Sequence, residues 1–153
     1  MKYMIIRDFK RKIYLLISSI LLICSCNLLS PGISQFDHYS YVQTTSAKVD
    51  VLNLMNLANE DYQLHQKEIN EVNTTVQKIV EYEKHRPKND ITIQQWDILT
   101  DTARNLYGGF IVKWKRENRL KEAYLTEKKK QIGAAFDQIA ELESKKIKPK
   151  DIK

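Results

Sequence analysis

From residue 51 onward, Val51, Met55, Ala58, Tyr62, His65, Ile69, Val72, Val76 and Ile79 recur at alternating steps of four and three. That spacing keeps one face of a 3.6-residue helix apolar and is incompatible with a strand, whose side chains alternate every two residues. Sustained over four heptads, it reads as a coiled-coil-like seam. Polar neighbours from 59 to 78 (Asn59, Asp61, Gln66, Glu68, Asn73, Thr75) keep the stripe narrow, while Leu52, Leu54 and Leu57 broaden it early and Val80 and Tyr82 late. The helical pattern begins near Phe36, and Pro87 ends it because proline disfavours helical geometry at the residue before it. One long helix over about 36–86, roughly 75 Å at 1.5 Å per residue, is predicted.

After the loop KHRPKND, Thr92-Ile93-Gln94-Gln95 has the form of a capping box and starts a second helix over about 92–117. Trp96, Leu99, Ala103, Leu106, Phe110 and Trp114 carry its apolar side through Gly108-Gly109. Each glycine costs about 1 kcal/mol inside a helix, so the pair marks a kink, a close approach or a break; a kink is the preferred reading. A third helix over about 120–143 points Tyr124, Leu125, Ile132, Ala135, Phe136, Ile139 and Leu142 one way and the run Glu127-Lys128-Lys129-Lys130 the other. The expected fold class is all-α: an antiparallel, coiled-coil-like bundle of one long helix with two shorter ones.

The N-terminus is of another kind. Lys2, Arg7, Lys10, Arg11 and Lys12 precede an uncharged run, Ile13 to Ile23, about half the length needed to cross a bilayer core. It closes on Ile23-Cys24-Ser25-Cys26, with a branched residue three before the final cysteine and a small one just before it. This N-terminus resembles the signal and lipobox of bacterial lipoproteins, over residues 1–27 only. The resemblance implies removal of 1–25, diacylglycerol on the Cys26 thiol and an acyl chain such as palmitate on its new amine. Cys24 cannot take that role, because bulky Ile23 precedes it. Two or three acyl chains, at about 0.8 kcal/mol per buried methylene, make residence on a membrane effectively permanent. Asn27, in place of the aspartate that resembles an inner-membrane retention signal, implies an outer-membrane protein facing the periplasm in a host with two membranes.

Of 25 Lys and Arg and 19 Asp and Glu, five basic residues and one acidic one fall within 1–25, leaving 20 against 18. Residues 144–153, SKKIKPKDIK, hold five lysines and one aspartate, so basicity belongs to this tail and the folded part is near −2. That argues against a nucleic-acid partner, which calls for a basic stripe across a folded face. Residues 26–35, with Ser30, Pro31 and Gly32, form the lipidated start and linker; 36–143 form the helical domain; 144–153 are expected to be disordered. Cys26 is the one cysteine left after processing, so no disulfide supports the fold.

Catalytic candidates are few. His38, His65 and His85 have no metal-ligand spacing, and neither a nucleophile elbow nor a phosphate-binding loop is present. Neither enzyme activity nor a cofactor other than the acyl groups is expected. His65 lies on the seam, Tyr62 beside it, and Trp114 stands among Lys113, Lys115 and Arg116; these three are the candidate partner contacts, although the aromatic set Trp96, Phe110, Trp114 and Phe136 reads first as core, with Trp114 its best candidate for an exposed anchor. Glu60-Asp61 and Glu81 with Glu83 read as solvated faces.

The chain is thus expected to be an envelope-anchored interaction module that presents its seam to a protein partner or a second copy. Alternatives are an inhibitor or immunity-type lipoprotein, or a tether: Lys153 resembles the C-terminal lysine through which the murein lipoprotein joins peptidoglycan, although the aromatic-basic ending of that family is absent. The tail is also expected to contact acidic lipid or wall polymers. Cys26→Ala is expected to abolish both signal removal and labelling by radioactive palmitate in cells, whereas Cys24→Ala leaves both intact.

Overall fold

The computed structural model describes residues 34–145. Asp37 sets the first helix: its backbone is extended (φ −129°) and its carboxylate accepts from the Ser40 N–H at 3.1 Å, satisfying one of the free amides of a helix start. Helix α1 follows over His38–Asn56. A turn and a short 3-10 segment, Tyr62–His65, lead into α2, Gln66–Lys84. Helices α3, Asp90–Thr100, and α4, Tyr107–Glu117, precede α5, Glu122–Ser144. Among the described residues all regular structure is helical, and the helices pack against one another as a bundle.

The predicted 36–86 helix is therefore two helices, and the seam is used differently from expected. α1 and α2 fold back on each other, so Val51, Met55 and Ala58 share one core with Ile69, Val76 and Ile79. A single helix of that length needs partners as long, and α5, at 23 residues, spans only about 35 Å. Asn53, Asn56, Asn59 and Asp61 weaken the helix at the fold-back point, because their side chains compete for backbone hydrogen bonds. The turn is fixed from outside: Leu120 N–H donates to Ala58 O at 2.8 Å and Tyr62 N–H to Asn118 O at 2.9 Å. Asn118 takes a left-handed backbone (φ 64°) as α4 ends.

The other boundaries also depart from expectation in detail. α3 starts two residues before Thr92, which is buried in its first turn, so the capping box does not form; Asn89 holds the N-cap position while its side chain is engaged elsewhere. The Gly108-Gly109 pair lies in the first turn of α4 after a real break at 101–106. A Cβ on Gly108 would strike the Thr100 carbonyl oxygen and one on Gly109 that of Arg104, so close approach, not a kink, requires the glycines. Ala103 falls in this loop and is exposed.

α1 lies against α2 and α5, and α3 closes the ring by packing on α2 and α5; α4 covers the turn end, against α3 and the 3-10 segment. Trp96 meets Phe136 edge-on, ring centroids 5.8 Å apart, inside the core. Every residue of the core lies between Ala47 and Ala140. Phe136→Ala should cost about 3–5 kcal/mol in urea unfolding, whereas Ala103→Ser should stay within about 0.5 kcal/mol.

Candidate functional site

Both ends of the bundle gather polar or aromatic side chains. At the first, α2 continues its buried series Ile69, Val76, Ile79 with Glu83, and α5 continues Ile132, Phe136, Ile139 with Glu143. Both glutamates are fully buried on their helices' core faces. Arg86, one turn beyond Glu83, lies between them, its side chain only 8 % exposed. Its Nη1 donates to Glu83 at 2.9 Å and to Glu143 at 3.1 Å, and its Nη2 to Glu143 at 2.9 Å and to Gln35 O at 2.8 Å.

Further donors complete the carboxylates. Ser40 Oγ and Asn89 Nδ2 both donate to Glu83, and the Asp37 N–H donates to Glu143 at 2.7 Å. Ser34 Oγ donates to Asn89 Oδ1 at 2.9 Å. The cluster thereby joins the start of α1, the end of α2, the start of α3 and the end of α5.

Burial disfavours the Arg86 cation, but the hydrogen bonds it donates to Glu143 and Glu83 outweigh that and raise its pKa. Burial likewise opposes ionisation of Asp37, yet the Tyr82 hydroxyl at 2.6 Å, the Ser40 N–H and Arg86 together hold its pKa below 3.8. The same hydrogen bond to Asp37, helped by burial, pushes the Tyr82 hydroxyl up to about 12. An open cleft of about 780 Å³, lined by Gln35, Phe36, Tyr82, His85 and Lys88, borders the cluster. No group of His, Cys, Asp and Glu suited to a metal occurs among the described residues.

At the opposite end the structure brings together the three predicted contact residues, but turns them inward. Trp114 is fully buried, not exposed, although Lys115 and Arg116 beside it are exposed. Its Nε1 donates to Glu60 O at 3.1 Å, its ring meets Tyr62 edge-on at 5.5 Å, and His65 lies 5.9 Å away. His65 Nε2 is 3.0 Å from Glu60 Oε2, while its buried Nδ1 has no partner. Tyr62 is buried. An ion pair between Arg119 and Asp61 closes this end. The trio pins α4 to the fold-back turn and presents no aromatic surface.

Two acidic or basic runs are corrected as well. Glu83 is the most buried carboxylate of the molecule's described part, not a solvated face, and Lys128 turns inward from its run to donate to Asn105 O at 3.1 Å and Gln131 at 2.7 Å. Ile23, Cys24, Ser25 and Cys26 lie outside the described residues, as does the tail beyond Lys145.

Leu64 and Val112 are exposed singly on the described surface, whereas α1 carries a row of exposed apolar residues. Tyr39, Val42 and Val49 are exposed along the outer side of α1, Val49 by 56 %. Asn53 continues this row into a groove of about 500 Å³ between α1 and α2, whose apolar residues are Leu54, Leu57 and Val72 and whose rim carries Asp50, Glu68 and Glu71. Compared with known protein families, curated proteins and solved structures, the chain matches none.

Removing Arg86 leaves two buried carboxylates without their cation, so Arg86→Met should cost about 3–5 kcal/mol, and Arg86→Lys, lacking the fork, should recover only part of it. Because the folded pKa of Asp37 is depressed, its contribution is present above pH 3.8 and lost as pH falls through the folded value. Asp37→Asn should remove that acid-side loss in a series of thermal melts against pH.

Proposed function

We propose that the protein is a lipid-anchored lipoprotein of the cell envelope, at the outer membrane facing the periplasm where the host has two membranes, whose helical domain docks another protein and performs no chemistry itself. The anchor reading rests on Ile23-Cys24-Ser25-Cys26 behind a basic, then apolar, N-terminus. The docking reading rests on the α1–α2 groove with its apolar floor and acidic rim.

The seam itself is closed by the fold-back of α1 on α2, so it is not the docking surface. The groove takes over that part. Its chemistry selects an amphipathic segment with apolar side chains for Leu54, Leu57 and Val72 and lysines or arginines for Asp50, Glu68 and Glu71. The acidic rim also suits the inhibitor reading, in which the docked protein is an enzyme.

A photoreactive residue placed at Val49 in cells should give one dominant adduct with a foreign protein. Glu68→Lys with Glu71→Lys should weaken that adduct by about tenfold or more, since like charges across an interface cost several kcal/mol. Both positions are exposed, so the melting temperature should hold. Self-adducts alone, or an adduct indifferent to the charge reversal, would defeat the proposal.

A further inference from the structure

Charge on the folded part of the chain is close to balanced, near −2 over 26–143, yet its placement is uneven. The break at 101–106 lies against the first turn of α4, where the absence of a Cβ on Gly109 lets the Arg104 carbonyl approach. Beside that contact opens a cleft of about 400 Å³, whose wall includes Arg104, Asn105, Gly109, Lys113, Arg116 and Tyr124. Lys113 and Arg116 are three residues apart on α4 and so share a face. No side chain caps the start of that helix, so its positive end borders the cleft uncompensated.

The three cations on this wall have two carboxylates between them. Arg104 pairs with Asp101 at 3.3 Å, while Lys113 and Arg116 share Glu117. The Arg104 and Arg116 side chains remain 58 % and 67 % exposed, so their pairs are of the weak, exchangeable kind. A fourth cation lies next to the wall with no carboxylate paired to it. Lys128 is only 5 % exposed, its ammonium lies 5.8 Å from the centre of the Tyr124 ring, and it donates to the neutral oxygens of Asn105 and Gln131. Lysine is almost never buried in this way without a counter-charge. Burial lowers its pKa, and Glu127, which accepts from Gln131 at 2.9 Å, opposes that only in part. Lys113 stands 5.1 Å from the centre of the same ring, so two ammonium groups converge on one side chain. The Tyr124 hydroxyl is itself buried and has no hydrogen-bond partner.

We propose that this cleft is a binding site for a phosphate group, gripped by Arg104, Lys113 and Arg116 and drawn by the unneutralised charge of Lys128. The guanidinium forks of Arg104 and Arg116 match phosphate oxygens in pairs, and Lys113 adds a point charge. A bound dianion takes these arginines from Asp101 and Glu117 at little cost, because exposed ion pairs are worth little. It also supplies Lys128 with the counter-charge that the fold withholds. A phosphomonoester of a small soluble molecule and a phospholipid headgroup both offer this chemistry. The site shares no residue with the α1–α2 groove and does not depend on it.

The test is calorimetric titration of the full chain in a non-ionic detergent at constant ionic strength, with inorganic phosphate in one arm and monomeric dihexanoyl phosphatidylglycerol in the other. Saturable binding is expected, and the arm that binds more tightly assigns the source. Arg104→Gln with Arg116→Gln should weaken binding by about tenfold or more, the worth of a single hydrogen bond to a charged group. Lys128→Met should weaken it as well. Both arginines are exposed, so their double variant keeps its circular dichroism spectrum and decides the matter even where the buried substitution disturbs the fold. Lys67→Gln with Lys78→Gln removes the same charge from exposed positions on α2 and should change nothing. No saturable binding in either arm, an arginine variant that binds like the parent, or an equal loss in the α2 variant would each overturn the proposal.

Discussion

A guanidinium placed between two buried carboxylates governs how this bundle closes. Arg86, just past the end of α2, meets Glu83 from α2 and Glu143 from α5, and neither glutamate has water to fall back on. Burying such charges costs several kcal/mol each unless the geometry is nearly complete, and here Ser40, Asn89 and the Asp37 amide supply the remaining donors. The arrangement tolerates one relative position of α1, α2, α3 and α5. A one-turn slip of α5 would set Glu143 against apolar side chains and leave Arg86 unmatched, so the cluster sets register in a way that interchangeable leucines and isoleucines do not.

The other end solves a different problem with backbone and aromatic groups. Around the fold-back turn at 57–61 the Ala58 carbonyl and the Tyr62 amide lose the partners a continuous helix would give them, and Leu120 N–H and Asn118 O pair with them from across the bundle. Trp114 then seals the turn by packing edge-on against Tyr62 and beside a tilted His65 and by donating to Glu60 O. One end is thus specified by charge and the other by shape, with the Trp96–Phe136 core between them.

Much of the helical content was legible because it depends on periodicity alone. The seam residues from Val51 to Ile79 are buried or half-buried, and α5 lies within a residue or two of its expected span. What periodicity could not reveal was where a helix turns back, since Ala58 and Tyr62 keep their places on the stripe whether the chain runs straight or reverses. The asparagines at 53, 56 and 59 were the local signal. Trp114 misled because its neighbours in sequence are basic, while its position four residues after Phe110 already placed it on the buried side. Glu83, read as part of a solvated face, misled for a like reason: Glu83 and Glu143 each fall four residues after a core isoleucine, and a carboxylate in that register demands a buried cation.

The segment from Ser34 to Asp37 is held crosswise, by Asn89, Arg86 and Glu143, before it enters α1. Tension drawn on the chain ahead of Ser34 is therefore divided between the α2–α3 connection and α5 before it reaches the first turn of α1. A helix end pulled by itself frays one hydrogen bond at a time, whereas these contacts carry the load in parallel and must part together. The weak link under strain is then an electrostatic latch, and what lies behind it is a hydrophobic core that the pull has not yet touched.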